Sequence, residues 1–269
     1  MRYDEIKIPV VGGEVELRSY VPDVIPTLTA DILRPAVVVV GGGAYVYVSE
    51  RETEPVALRL AGFGINAYTV KYRVAPEVTY PTPVQDVAAA VAWVRAHAEK
   101  DHTDPDKIAV MGFSAGGHAA ASLGVLWQKE ELSAPLGLTP AQVRPDAMVL
   151  CYPVITGGPY AHRGSFENVL ATKDLEAHKK LSLEEQVTAA APTAFLWHTW
   201  EDQAVPVENT LMMASALRRA GVSCEVHIFQ HGKHGLSVCD ATSGGRDPDL
   251  LQPDAAEWFP LAVKFLRRL

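Results

Sequence analysis

The stretch Gly112–Gly116 (Gly-Phe-Ser-Ala-Gly) most constrains how this 269-residue chain can fold. An apolar run from Ile108 to Met111 precedes it and is typical of a β-strand, and an Ala-rich run typical of a helix follows at once. A turn this tight holds Ser114 in a strained backbone conformation, and small neighbours leave room for the chain. The serine oxygen then projects above a sheet at a helix N-terminus, where backbone N–H groups favour negative charge. The pattern predicts the strand–turn–helix unit of a nucleophile elbow.

Apolar runs alternate with helical patterns along the rest of the chain. Two runs around Gly12–Gly13 predict a β-hairpin, and five consecutive apolar residues at 36–40 predict a buried parallel strand. The other predicted strands are 66–72, 146–152, 193–199 and 223–229, and the predicted helices are 54–60, 84–98, 209–220 and 261–269. This alternation indicates an α/β protein with a mostly parallel, doubly wound sheet and helices on both faces.

No Gly/Ser-rich linker, charge block or internal repeat divides the chain, so we expect a single domain over residues 1–269. Residues 128–144 are polar and contain prolines, which predicts an excursion from the sheet. Residues 156–190 are rich in Gly, His, Lys and Glu, with a weak helical pattern at 175–186. We expect this second segment to be a small insertion over the sheet edge, near Ser114.

Charge and composition argue against two classes of partner. A net charge of −8 without basic runs is unfavourable for binding nucleic acid or an anionic membrane. Met1–Lys7 lacks the apolar core of a signal peptide and no apolar run has membrane-spanning length, so we expect a cytoplasmic protein. Cys151, Cys224 and Cys239 lack metal or disulfide spacing, and Cys151 is expected to be a buried, inert thiol.

A serine hydroxyl is a weak nucleophile, so it needs a base within hydrogen-bond reach and a carboxylate that orients the base. Glu201 and Asp202 follow the predicted strand 193–199, and His231 and His234 follow the strand 223–229. The carboxyl ends of parallel strands share one edge of a sheet, which is where open α/β sheets place their sites. We therefore expect an acid and a base on the same edge as the serine.

Six ordered features along the chain carry a resemblance to a known family. They are Gly42-Gly43, the helix from Glu54, Tyr72-Arg73-Val74-Ala75-Pro76-Glu77, Gly112 to Gly116, Asp202 with Val205-Pro206, and His234-Gly235. In this order they resemble the α/β-hydrolase superfamily, in particular the carbohydrate and acetyl-xylan esterases related to hormone-sensitive-lipase-type carboxylesterases. The resemblance implies the α/β-hydrolase fold over nearly the whole chain.

The resemblance also implies a catalytic triad of Ser114, Asp202 and His234. Asp202 matches the acid of the family's Asp-x-x-Val-Pro loop, with Glu201 as its competitor. His234 matches the base of the His-Gly pattern, whereas His231 is more typical of a neighbouring loop residue.

An oxyanion hole is expected from the N–H of Ala115 and one N–H of the glycine loop. Similar esterases carry His-Gly-Gly-Gly or Pro-Gly-Gly-Gly before an aromatic residue. Here Gly41 replaces the leading His or Pro and Ala44 replaces the third glycine. Both Gly42 and Gly43 are therefore candidate donors, and the sequence does not choose between them.

The remaining histidines are expected to have structural roles. His198 and His227 are predicted to pack or to form hydrogen bonds, and His118 is predicted to be structural. No ligand-type spacing is present, so we expect no metal site and no organic cofactor.

Several other side chains near these motifs have two interpretations. Arg73 and Asp86 are either a structural ion pair or solvated charges. Tyr45, Tyr47 and Trp200 either form an aromatic wall for a sugar ring or acyl group, or pack in the core.

The hypothesis from the sequence is a serine esterase acting on a small-molecule ester, an O-acetylated sugar or xylo-oligosaccharide. A general short-chain carboxylesterase or a peptidase-like member of the same fold is the alternative, and a non-catalytic binding scaffold is the rival from another class. The sequence leaves open whether the chain forms a homo-oligomer.

Overall fold

Eight strands form one sheet in a computed structural model that describes all 269 residues. The strands are β1 (Arg2–Val10), β2 (Gly13–Val21), β3 (Arg34–Val40), β4 (Asn66–Lys71), β5 (Thr103–Phe113), β6 (Ala147–Cys151), β7 (Thr193–Thr199) and β8 (Cys224–Phe229). Their order across the sheet is β1-β2-β4-β3-β5-β6-β7-β8. Only β2 runs against the others, so the sheet is mostly parallel, as predicted.

Eleven helices and four short 3₁₀ turns lie between the strands and after the last of them. The helices are α1 (Glu54–Gly62), α2 (Thr82–Ala96), α3 (Ser114–Leu126), α4 (Glu130–Ser133), α5 (Pro140–Val143), α6 (Arg163–Leu170), α7 (Leu175–Lys180), α8 (Glu208–Arg219), α9 (Ala241–Gly244), α10 (Pro253–Ala256) and α11 (Trp258–Leu266). The 3₁₀ turns are Glu50–Glu52, Ala134–Leu136, Leu183–Glu185 and Pro248–Leu250. No helix combines the length and the apolar character that a membrane crossing requires.

Alternate residues of β3 divide the core into two layers. Val38 and Val40 pack with α2, α3 and α8 on one face, whereas Val37 and Val39 pack with α1 and α11 on the other. Successive side chains of a strand point to opposite faces, and a strand covered on both faces must be apolar throughout. The run at 36–40 is apolar for this reason, and the predicted helices on both faces are confirmed.

The predicted elements agree closely with the structure where periodicity was strong. The hairpin is present with Val10 opposite Gly13, and β7 has the predicted bounds. The four valines of the predicted helix at 84–98 are fully buried on α2. Residues 128–144 contain only the short helices α4 and α5 and one 3₁₀ turn.

Residues 156–190 contain one helix that the sequence pattern does not reveal. Only Phe166 and Val169 of α6 are apolar and buried, and Gly and Ser at its start weaken the helical signal. Asn168 Nδ2 donates a hydrogen bond to Ala44 O (2.8 Å), and Val169 O accepts one from the Tyr80 N–H (2.7 Å). The segment therefore packs across the carboxyl ends of the central strands, beside the glycine loop.

Candidate active site

Ser114 is the first residue of α3, directly after β5, and has a φ of +52°. A Cβ added to Gly112 would lie 2.3 Å from Gly116 O, and one added to Gly116 would lie 2.3 Å from both Val40 O and Gly41 O. No side chain fits at such distances, so both glycines of the motif are sterically required. The turn presses the start of α3 against the end of β3, which is where the glycine loop begins.

The structure brings Ser114, His234 and Asp202 into one line of hydrogen bonds. The Ser114 Oγ–H donates to His234 Nε2 (2.8 Å), and the His234 Nδ1–H donates to Asp202 Oδ2 (2.6 Å). Asp202 follows β7 and His234 follows β8, both at the carboxyl edge of the sheet. Ser114 is 8% exposed and Asp202 is 4% exposed. A base within reach of a serine and oriented by a buried carboxylate can activate that serine as a nucleophile.

The carboxylate of Asp202 accepts four hydrogen bonds. Its Oδ1 accepts from the N–H groups of Ala204 and Val205 (2.9 Å each), and its Oδ2 also accepts from His198 Nε2 (3.2 Å). Burial alone would raise the pKa of Asp202, but hydrogen bonds from His198 and His234 outweigh it and hold the pKa well below its ordinary value. The carboxylate therefore stays ionised at neutral pH and fixes the His234 tautomer with its proton on Nδ1.

The competing acid and base lie outside this line. Glu201 is exposed, and its Oε1 lies 3.0 Å from Nδ1 of the exposed His231. Neither residue hydrogen-bonds Ser114, Asp202 or His234.

Three further histidines have packing and hydrogen-bonding roles, as expected. His198 is buried and its Nδ1 lies 2.8 Å from Thr210 Oγ1. His227 lies in β8 with its Nε2 2.9 Å from Glu225 Oε1. His118 is buried in α3, with its Nδ1 2.8 Å from Tyr45 Oη, and it makes no hydrogen bond to Ser114, Asp202 or His234. No three His, Cys, Asp or Glu side chains are grouped as a metal site would require.

Acidification is expected to destabilise the protein through His118. Tyr45 Oη–H donates to its Nδ1 (2.8 Å), and burial lowers the pKa of His118 to about 4. Between pH 6.5 and 4 the unfolded chain binds a proton that the folded chain does not. The free energy of unfolding therefore decreases as the pH is lowered through this range. Between pH 7 and 4.5 the free energy of unfolding should fall by about 2.5 kcal/mol more in the wild type than in His118→Asn, which keeps an acceptor for Tyr45. Urea unfolding at pH 7, 5.5 and 4.5 measures this, and parallel losses in both proteins would contradict it.

The two candidate oxyanion donors of the glycine loop differ in their hydrogen bonds. The Gly42 N–H donates to Glu52 Oε2 (2.9 Å), whereas the Gly43 N–H has no acceptor in the protein. The Ala115 N–H lies in the first turn of α3, where N–H groups have no partner within the helix. The Gly42 N–H is thus already hydrogen-bonded within the protein, whereas the Gly43 N–H is not.

A small cavity of about 170 Å³ lies over Ser114. Only two of its ten lining residues are hydrophobic; the ten are Gly43, Ala44, Tyr47, Ser49, Arg51, Glu52, Ser114, His162, His234 and Gly235. His162 comes from the segment 156–190 and precedes α6, with its Nδ1 2.9 Å from Ser165 Oγ. Burial lowers the pKa of His162. A cavity of this size and polarity suits a small acyl group and a polar alcohol.

Of the three aromatic residues with two interpretations, one lines the cavity. Tyr47 is exposed and lines the cavity. Tyr45 is buried and hydrogen-bonded to His118, so of its two interpretations the structure supports core packing. Trp200 is exposed but does not line the cavity.

Of the two interpretations of Arg73 and Asp86, the structure shows the ion pair. Arg73 Nη2 donates to Asp86 Oδ1 (2.7 Å) and Arg73 Nε donates to Oδ2 (3.0 Å), with Asp86 fully buried. The pair joins the end of β4 to α2 and does not touch the triad.

Sequence reasoning missed two buried residues at the site. Tyr152 Oη–H donates to Glu52 Oε1 (2.8 Å), and the Tyr152 ring packs edge-on against His234 with ring centroids 5.0 Å apart. Glu52 lies in a charged run from Glu50 to Glu54 whose pattern does not distinguish it. Only the fold shows that its side chain is buried.

Comparison with known proteins gives a consistent family. The family model described as alpha/beta hydrolase fold matches residues 37–238. Endo-1,4-beta-xylanase B of Butyrivibrio fibrisolvens is 35% identical over 78% of this chain and 34% of its own length. The acetylxylan esterase of Xylanibacter ruminicola is 31% identical over 75% of this chain and 41% of its own length. The chain therefore spans well under half the length of these two curated relatives.

One solved structure resembles the chain over almost its full length. The acetyl ester-xyloside bifunctional hydrolase of Caldicellulosiruptor lactoaceticus is 36% identical, with a TM-score of 0.79, covering 96% of this chain and 89% of that one. Its fold agrees with the eight-stranded sheet and the order of motifs described above. On the family match, this similarity and its own geometry, the chain belongs to the α/β-hydrolase fold family.

Proposed function

We propose that the protein is a serine esterase that hydrolyses small carboxylic esters through an acyl-enzyme on Ser114. The observation that carries the proposal is the hydrogen-bonded line from Asp202 through His234 to Ser114, which ends in a cavity. Relatives and a solved structure that are named as esterases or ester hydrolases support the same reaction class.

In the proposed reaction His234 Nε2 takes the Ser114 proton as Oγ attacks the ester carbonyl. The N–H groups of Gly43 and Ala115 stabilise the oxyanion of the tetrahedral intermediate. His234 then gives the proton to the leaving alcohol, and the acyl group remains on Ser114. Water attacks the acyl-enzyme with His234 again as base, which releases the acid and restores the serine. Asp202 stabilises the imidazolium in both halves.

Acetyl esters of sugars or xylo-oligosaccharides are the proposed substrates. The cavity is small and mostly polar, which favours a short acyl chain and a hydroxyl-rich alcohol. The exposed Tyr47 ring at the cavity offers a flat apolar surface on which a sugar ring can rest. The names of the similar acetylxylan esterase and acetyl ester-xyloside hydrolase point to the same substrate class.

Substrate comparison tests the proposal. We expect kcat/KM for p-nitrophenyl acetate to exceed that for p-nitrophenyl octanoate by about tenfold or more, since methylenes that a pocket cannot accept weaken transition-state binding. Acetate should also be released from acetylated xylo-oligosaccharides. A preference for octanoate would indicate a general carboxylesterase, and cleavage of aminoacyl anilides a peptidase. Absence of any ester turnover, together with no fluorophosphonate adduct on Ser114 by mass spectrometry, would overturn the esterase proposal itself.

A further inference from the structure

Glu52 is a buried acid at the active site for which the proposed reaction has no step. It is 3% exposed, lies in the 3₁₀ turn Glu50–Glu52 and lines the cavity over Ser114. Burying a carboxylate is costly unless hydrogen bonds compensate for the lost water. The two donors that compensate for it belong to two separate parts of the site.

The first donor is the glycine loop. Glu52 Oε2 accepts the Gly42 N–H at 2.9 Å. A Cβ on Gly42 would lie 2.8 Å from this oxygen and 2.9 Å from the Ser114 Cβ. The loop is therefore held tightly between the carboxylate and the serine. Because Gly42 is fixed in this way, the position of the next N–H, that of Gly43, is fixed as well.

The second donor leads to the loop that carries His234. Glu52 Oε1 accepts the Tyr152 O–H at 2.8 Å, and Tyr152 Oη in turn accepts the Ser237 N–H at 2.9 Å. The Ser237 hydroxyl donates to Arg51 O at 2.6 Å, next to Glu52 in the chain. The Tyr152 ring packs against His234 at the same point. One carboxylate thus joins the glycine loop to the histidine loop.

We propose that Glu52 is a positioning residue for the esterase reaction. It holds the Gly43 N–H and His234 in the positions relative to Ser114 that the reaction requires. The inference rests on the proposed function. Glu52 acts through the Gly42 N–H and through Tyr152, and does not exchange a proton with the substrate.

The glutamine variant isolates this role because it keeps the size of the side chain. Both partners of Glu52 are donors: Gly42 offers an N–H, and Tyr152 offers its O–H because its oxygen already accepts from Ser237. A carboxylate accepts both bonds, whereas glutamine has one acceptor oxygen and presents its NH₂ to the other donor. In Glu52→Gln, one of the two loops must therefore move.

Loss of a correctly placed oxyanion donor lowers kcat by about 10²–10³-fold in other hydrolases. A displaced donor should cost less than a deleted one. We expect Glu52→Gln to lower kcat for p-nitrophenyl acetate by roughly 10–100-fold with KM changed less than about threefold. The Ki of a small alkylboronic acid, which forms a tetrahedral adduct on the serine, should rise by the same factor as kcat falls.

Tyr152→Phe provides a second variant with a smaller structural change. It removes the bond to Glu52 Oε1 and the acceptor of the Ser237 N–H, and leaves the bond to Gly42 in place. We expect a smaller loss of kcat, and a double variant whose loss is less than the product of the two single losses, because both act in one network. Should Glu52→Gln fail to fold, Tyr152→Phe alone still tests the link, and kcat and Ki equal to the wild type would overturn it.

Asp146→Asn is the control for loss of a hydrogen-bonded carboxylate whose side chain is only 8% exposed. Asp146 accepts the Ile108 N–H (3.0 Å) and pairs with Arg95 (2.9 Å) at the opposite end of the sheet. We expect it to lower Tm and to leave kcat and the boronic acid Ki unchanged. The inference would be overturned if folded Glu52→Gln had the same kcat and Ki as the wild type. It would also be overturned if the loss of kcat in Glu52→Gln equalled the fraction of the variant that is unfolded. An inactive wild type would instead overturn the proposed function.

Discussion

Replacement of Ser114 by alanine is expected to lower kcat for p-nitrophenyl acetate by about 10⁵–10⁶-fold, which is the scale seen when a triad serine is removed. The oxygen that would form the acyl-enzyme is lost, while His234 and Asp202 keep their hydrogen bond. Ser114 is small and lies at a turn fixed by its flanking glycines, so the fold should be retained. A thermal unfolding curve first confirms that the variant is folded, and steady-state hydrolysis then measures its kcat.

Ser122 offers a matched control for this substitution. It lies on the same helix α3, is fully buried and its hydroxyl has no hydrogen-bond partner. Ser122→Ala should keep kcat within about twofold of the wild type, since it is distant from the reacting atoms. Residual activity in Ser114→Ala above about one hundredth of the wild type would point to another nucleophile.

Asp202→Asn is expected to lower kcat by about 10³–10⁴-fold. The asparagine either presents an N–H to His234 Nδ1 or loses one of the other bonds that Asp202 now accepts from its own loop and from His198. In the first case Nε2 must carry the ring proton and can no longer accept the proton of the serine. KM should change little, because Asp202 does not line the cavity.

Glu201→Gln is the control that separates the two neighbouring acids. Glu201 is exposed and pairs with His231, so its charge is screened by solvent and its loss should leave kcat within about twofold. Activity that survives in Asp202→Asn and disappears in Glu201→Gln would contradict the placement of the acid. A pH-rate profile of both variants shows whether the base has changed as well.

The order of the sequence motifs predicted the fold and the three residues that meet at the site, because each motif follows a strand whose pattern is strong. Glu201 and Asp202 are adjacent in the sequence, and the residues alone could not separate them. In the structure, the turn after β7 directs Asp202 inward, where the Ala204 and Val205 N–H groups hold its Oδ1. Glu201 points to solvent.

The residues that support the site could not be predicted in the same way. Glu52 and Tyr152 are separated by 100 positions, and no local periodicity encodes such a contact. Gly42 and Gly43 look equivalent in the sequence, and only the buried acid nearby makes them different. His162 lies in the segment 156–190, where the helical signal was weakest.

The placement of His162 has a consequence for the proposed esterase. Ser114, Asp202 and His234 stand on turns that follow β5, β7 and β8, whereas His162 enters from a separate excursion between β6 and β7. The triad and this one wall of the cavity are thus encoded in different stretches of the chain. Under the proposed function, we expect substitutions confined to residues 158–162 to change the preference among esters while the hydrogen bonds of Ser114, His234 and Asp202 stay in place.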